Sequence, residues 1–515
     1  MHTSALGSRR LVSLLSTFAV LLALAACGSP TSSSRARGST LTLTQPGAPN
    51  SLDPGTFNQA FEWFFDLAYE PLIYWDASGK AAPGLAQSWG YVGEGNRTFE
   101  IVLRPGAKFS DGTDVTAESV KASIEYTRTA GGGAATRWSD KTITVTGPLT
   151  LRIEAKNPDP MLDRELSQNF AGSHIISAAG LKDPKQLGTT TAGAGPYVLV
   201  PGDTVASDHY TYAPNPHYWN KAAIHYDKVV IKVIPNTNSV LNALKTGQVD
   251  VGPADYTVVD AAQSARLQVK QTPLLFLGLN LIDRNGSMLP ALRDVRVRQA
   301  LNFAVDRATI TKALFGQWGV PTEQTVLPKD SGSFADTVYP YDPEKAKQLL
   351  AQAGYGGGLE IPVLTTSYNG QSQVTQAIAG DLEKVGVSLK LTNLGNYDQY
   401  RDQLTAKKFP VASVGFGCLP TYLEGPSLFL PNAATFNPFK TSDPELTALF
   451  GQAAAANETD RARLETQVQR RLVEQAWFVP VTLAPKFYFA RSTVAGVEPS
   501  TGQPLPNPVW FTPAA

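Results

Sequence analysis

"FEIVLRPGAKFSDGTDVTAESV", Phe99–Val120, compresses a strand, two turns and a helix start into one stretch. Thr98–Leu103 alternates in polarity as a half-buried strand does. Asp111-Gly112 marks a turn, and "TAESVKASIEYTR" then follows the spacing of an amphipathic helix with Thr116 as its N-cap. A strand handed to a helix through capped turns predicts a mixed α/β chain, and the flanking sequence extends that pattern.

Upstream, "STLTLTQPG" alternates as a strand and ends at a turn; downstream, "KTITVTGPLTLRIEAK" reads as two strands around Gly147-Pro148. "DHYTYAPNPHYWNKAAIHYDKVV" also reads as two strands joined by a loop. "NSVLNALKTGQVDVG" predicts a short helix closed by Gly247, then a buried strand. The later helices are longer. "DPEKAKQLLAQAGY" has Asp342 as N-cap, Pro343 at the first helical position and Gly354 as terminator, with Ala346, Leu349 and Leu350 as its apolar stripe. "SDPELTALFGQAAAA" opens the same way, and a helix is predicted from about Asp460 to Glu474. "FVPVTL" and "KFYFARS" read as two late strands. Alternating strands and helices with early hairpins predict α/β lobes plus a largely antiparallel part.

The 515 residues are too many for one core and predict about three domains. Lys+Arg 44 against Asp+Glu 44 leaves no basic excess, so nucleic-acid binding lacks its usual electrostatic support. Arg9 and Arg10 precede the apolar run "LVSLLSTFAVLLALAA", too short to span a bilayer comfortably but suited to an export signal. The arginine pair also permits twin-arginine export. Leu24-Ala25-Ala26-Cys27 resembles the lipobox of bacterial lipoproteins. That resemblance implies removal of residues 1–26, lipidation of Cys27 and lasting membrane anchorage through two or more acyl chains. Residues 27–40 then form a flexible tether with a reach of roughly 20 Å. Cys418 is left as the single free cysteine, so no intramolecular disulfide is available.

A catalytic reading finds little to build on. There is no G-x-S-x-G elbow, H-E-x-x-H helix, paired C-x-x-C or phosphate-cradling loop. His209, His217 and His225 recur every eight residues, which does not stack imidazoles on one helical turn, so they read as structural and no metal or cofactor is expected. A nucleophilic Cys418 paired with a distant histidine would make the chain a secreted hydrolase; a small apolar wall is the alternative.

"SLDPGTF", "LAYEPLIYWDASGKAAPGLAQSW", the opening Phe99–Val120 stretch, "AGAGPYVL", "APNPHYWN", "LKTGQVDV", "LRDVRVRQALNFAVDRATI" and "YDPEKAKQLLAQAGY" occur in this order. Together they resemble the extracytoplasmic solute-binding proteins of ABC transporters, specifically the peptide/nickel family. The likeness runs from about Leu41 to the C-terminus. Each string also has a structural role. Asp294, for example, caps a helix whose Val297, Leu301, Ala304 and Val305 face a core, with Arg296, Arg298 and Arg307 in solvent or ion pairs.

The resemblance implies a two-lobed, hinged α/β periplasmic-binding-protein fold with an extra α+β subdomain inserted in the first lobe. It places the first lobe at 41–65, 193–272 and 485–515, the inserted subdomain at 66–192 and the second lobe at 273–484. It further implies a monomer that captures a peptide or peptide-like solute by hinge closure and delivers it to a membrane permease with its ATPase subunits. A nickel chelate, haem or sugar is the alternative cargo. Carried over residue by residue, ligand contacts fall on Asn58, Gln59, Ala60 and Phe61, and on Phe416, Gly417, Cys418, Leu419, Tyr422 and Glu424. Peptide-binding members pair the ligand's amine with an aspartate in the second segment. Here Leu419 or Tyr422 takes that place, and Glu424 is the nearest carboxylate. An unpaired buried ammonium is costly, so this departure disfavours free-amine peptides unless Glu424 substitutes.

Overall fold

Gln268–Asn280 and Phe478–Ala490 are thirteen residues each and pair antiparallel along their whole length in the computed structural model. The structure describes residues 39–514 apart from 58, 77–78, 131–136, 329, 418, 434 and 500–504. Cys27, Asn58 and Cys418 therefore lie outside the described residues, as do the export signal and nearly all of the tether.

The two long strands sit at the centre of one large sheet. On one side follow Val411–Gly417, Leu359–Thr366 and Val387–Leu394; on the other, Val251–Ala254, Thr40–Gln45, Lys228–Val233, His209–Pro214 and Tyr197–Leu199. Each side has its own core. Leu277, Val297, Leu301, Val363, Ile378 and Val479 pack together on the side of Val411–Gly417, and Leu41, Leu43, Phe64, Tyr212 and Ile231 on the side of Thr40–Gln45. Burying these side chains contributes on the order of 1.5–3 kcal/mol each, so each lobe has its own hydrophobic support.

A separate antiparallel sheet, in the order Ala86–Tyr91, Thr98–Leu103, Thr150–Ala155 and Lys141–Gly147, forms a third layer with the helix Ala117–Thr129. Thr116 and Ser119 cap that helix reciprocally, and Val120 and Ile124 bury its apolar stripe. The opening stretch thus folds as read. Asp342 and Asp443 likewise cap helices with proline at the first position, and Gly247 ends its helix in the left-handed conformation at φ 75°. His209–Pro214 and Lys228–Val233 pair antiparallel as the two strands expected there.

Three expectations change. "FVPVTL" and "KFYFARS" belong to a single strand, because Pro485 faces Pro273 where the register shifts and the ladder does not require their missing N–H groups. Arg298 and Arg307 are buried rather than solvated. The guanidinium of Arg298 donates to the Gln475 and Leu292 carbonyls, that of Arg307 to Pro480 and Asn302, and burial draws both down to about 10. Arg296 alone of the three makes the exposed ion pair, with Asp294. Finally, Thr40 is already in the first strand rather than in the tether. Among the described residues, no helix is long and apolar enough to cross a membrane.

Candidate functional site

The strand registers locate a cleft. Gly417, the last residue of its strand, lies opposite Leu275, which lies opposite Ala484. Ala254, the last residue of a first-lobe strand, lies opposite Phe487. The carboxyl ends of strands from both lobes therefore converge on the few residues between Ala484 and Phe487, where the central pair crosses from lobe to lobe. Loops at the carboxyl ends of such strands are where open α/β sheets hold ligands.

A cavity of about 370 Å3 occupies this crossing. Leu275, Ala484, Pro485 and Lys486 form its floor; Asp255 and Tyr256 come from the first lobe, and Phe315 and Gly370 from the second. Tyr256 and Phe315 touch across it, with ring centroids 5.5 Å apart. Asp255 is held by its own loop: one carboxylate oxygen accepts from the N–H and hydroxyl of Thr257, the other from the Thr237 hydroxyl at 3.0 Å. Lys486 is half-buried, and desolvation pulls its ammonium below the usual lysine range, with Asp255 opposing. Among the described residues the ammonium has no hydrogen-bond or ion-pair partner.

Away from the hinge cavity, the part of the chain carrying the separate antiparallel sheet bonds directly to the segments around Tyr422 and Ala454. The Tyr422 hydroxyl donates to the Pro158 carbonyl at 2.9 Å, and Tyr422 stacks on Phe450 with planes 9° apart. Asn96 donates to the Ala454 and Ala456 carbonyls at 2.9 and 2.8 Å. A second cavity, of about 400 Å3, lies at this seam, lined by Trp75, Asp163, Arg164, Pro420 and Arg461 among others. The Arg164 guanidinium lies 4.2 Å above the Trp75 ring. Across the seam, burial pushes the Asp330 carboxyl up to about 6, opposed by Arg164.

The residues singled out by sequence do not line the hinge cavity; among those described they fall in a first-lobe turn, at one strand end and within the second lobe. Gln59, Ala60 and Phe61 form one short turn; Ala60 is exposed, and Phe61 is half-buried against Phe64 and Gly47. Phe416, Gly417 and Leu419 are half-buried at and just beyond their strand's end, and the Phe416 ring packs edge-on to Phe436 at 5.4 Å. Tyr422 is at the seam. Glu424 points into the second lobe with no exposure. Its carboxyl accepts from Thr325 at 2.9 Å and Gln469 at 3.1 Å, and burial holds its pKa well above the usual range. In that setting it is engaged inside the lobe rather than free to meet a ligand.

Lys486 is the residue that the sequence reading passed over, although it is the single charge in "FVPVTLAPKFYFA". Of the histidines, His174 is buried 3.6 Å from Asp66, and His209 bonds Asp208 at the surface. Among the described residues no three His, Cys, Asp or Glu side chains are grouped as a metal site.

Comparison with known proteins agrees with this architecture. The profile of the bacterial extracellular solute-binding proteins, family 5 middle region, matches residues 80–435. Heme-binding protein A of Haemophilus influenzae is 28% identical over 440 residues, covering 78% of each chain. The glutathione-binding protein GsiB of Escherichia coli K12 is 28% identical over 365 residues, covering 69% of this chain and 68% of its own. Among solved structures, NikA of Brucella suis with Fe(III)-EDTA superposes with a TM-score of 0.78 at 23% identity, over 92% of this chain and all of its own. DppA of Helicobacter pylori with the peptide STSA gives 0.76 at 20% identity, over 93% and 98%. The fold is thus the mixed α/β periplasmic-binding-protein fold with an additional antiparallel sheet. The chain belongs to the family 5 bacterial extracellular solute-binding proteins, the non-enzymatic, extracytoplasmic receptors that bind a small solute for an ABC importer.

Proposed function

We propose that this chain is a lipid-anchored receptor for a peptide or peptide-like solute, held at the membrane through Cys27 and closing its lobes over the cargo. The observation carrying the reading is the convergence of strand ends from both lobes on the hinge cavity. A solute there touches both lobes, so its binding energy favours the closed form that a permease recognises. The lobes are assigned to 41–65, 193–272 and 485–515, and to 273–484, with 66–192 as the inserted subdomain that meets the second lobe at the seam.

An extended ligand would run between the turn at Gln59–Phe61 and Phe416, Gly417, Leu419 and Tyr422, with Asn58 and Cys418 proposed as further contacts from the sequence alone. Glu424 is assigned a supporting role, because its carboxyl is already engaged by Thr325 and Gln469. Peptide cargo is supported by the glutathione-binding relative and by the peptide held in the Helicobacter structure. The Haemophilus haem-binding relative supports the second reading, a non-peptide cargo. Capture followed by release calls for affinity around the micromolar level, about −8 kcal/mol.

Native mass spectrometry of the purified globular chain tests this. Short peptides released from it are the expected result; a metal chelate, haem or sugar in their place overturns the peptide assignment. Anchorage is read separately: Cys27→Ser should release the protein from the membrane fraction, and retention there would refute lipidation at this residue.

A further inference from the structure

The hinge cavity has a chemical preference that the peptide reading does not require. Asp255 and Lys486 are the charged residues among those lining it. Asp255 already accepts three hydrogen bonds from Thr237 and Thr257, whereas the Lys486 ammonium has no hydrogen-bond or ion-pair partner among the described residues. Asp255 acts on this ammonium only through space, with no hydrogen bond or ion-pair contact between them, and a half-buried cation so placed gains from a carboxylate that bonds it directly. Removal from bulk water already draws this ammonium below its ordinary range.

A second element of the same cavity favours the same sign. The helix Gln371–Glu383, thirteen residues long, begins at the wall with Gly370 as its N-cap at φ 76°, and no side chain caps it. Gly370 and Gln373 both line the cavity. The Gln371 N–H is taken by the Tyr368 carbonyl, but no side chain neutralises this helix start, so its partial positive charge lies beside the cavity that Lys486 also lines.

We propose that Lys486, with the start of the Gln371–Glu383 helix, receives a carboxylate of the transported solute at the hinge, so that this receptor selects acidic cargo or the free C-terminus of a peptide. The assignment rests on the solute-binding reading of the cleft but not on the cargo being a peptide. It also fits the absence of an aspartate from the Gly417–Glu424 segment: recognition is anchored on an anion rather than on an amine.

The test weighs the solute released from the globular chain before and after methyl esterification, and compares its occupancy in Lys486→Met and Lys486→Arg. An esterifiable solute is expected, with occupancy lowered about tenfold or more in Lys486→Met, a change of about 1.4 kcal/mol, and largely kept in Lys486→Arg. Tandem fragmentation of the ester tells a C-terminal carboxylate from a side-chain one. A solute without an acid group, or full occupancy in a folded Lys486→Met, overturns the assignment. The acid test on the wild-type solute stands even if the variant misfolds. If the chain purifies empty, it is titrated with random tripeptides as free acids and as amides; equal binding of the two pools, or none, also overturns it. Amino-acid analysis of the solute reports separately on the peptide reading: an acidic non-peptide sinks that reading and leaves Lys486 in its role.

Discussion

At the seam, the subdomain and second lobe bond to each other through Asn96 and Tyr422; at the hinge, the lobes enclose a cavity and leave Lys486 without a partner among the described residues. The seam is complementary protein to protein, so it holds the lobes together whatever the cargo. The hinge is complementary to something absent from the chain itself. Closure strength and cargo choice are thereby assigned to two separate places in the molecule, and substitutions at each should separate them.

The largest effect should come from the hinge strands themselves. A Cβ on Gly278 would lie 2.8 Å from Pro480 Cα and closer still to the Val479 carbonyl oxygen, both backbone. Gly278→Ala should destabilise the fold by about 1–3 kcal/mol in denaturant titration. An unchanged midpoint would show that the central strand pair is loose beside the hinge, and the contrast between a rigid strand pair and a separable latch would fail.

Next is the seam. Asn96 holds a left-handed conformation at φ 53°, so Asn96→Gly keeps the backbone while removing two hydrogen bonds. Their loss is worth roughly 2 kcal/mol, which should appear as more open molecules in small-angle scattering and weaker binding of every cargo alike. Cargo-selective weakening would contradict the division of labour. Tyr422→Phe removes one bond to Pro158 and should cost about 1 kcal/mol, seen as faster solute release in stopped-flow. No change in release rate would remove Tyr422 from the latch.

The smallest effect on binding is expected at Glu424. Glu424→Gln keeps an acceptor for Thr325 and Gln469 away from the hinge cavity, so solute affinity should stay within about a factor of two. A marked loss would restore Glu424 as a ligand carboxylate. Its pH signature differs in sign from that of an ordinary ion pair. The folded carboxyl holds its proton to higher pH than the unfolded one, so its contribution is fully present below about 4.5 and is lost as pH rises toward the raised folded value. The Gln variant should show a shallower fall in stability with rising pH.

What the sequence made legible was local or patterned. Caps at Thr116, Asp342 and Asp443, the hairpin at Gly147-Pro148 and the ordered family strings are carried by neighbouring residues, and they led to the fold. Arg298 and Arg307 escaped because the carbonyls that receive them, Gln475 and Pro480, are more than 170 positions away. Glu424's orientation was hidden for the same reason: Thr325 and Gln469 are distant in sequence. Proline at 485 made one long strand look like two, which masked Lys486 as a floor residue. A lone charge within an otherwise apolar strand was the available signal.

The most direct test is a crystal structure of the protein with its co-purified solute. Solute density is expected on the hinge floor beside Leu275 and Ala484, touching both lobes, with a carboxylate within hydrogen-bond distance of Lys486 Nζ. Solute seated only in the seam cavity beside Trp75 and Arg164, with the hinge cavity holding water alone, would contradict the assignment of cargo choice to the hinge.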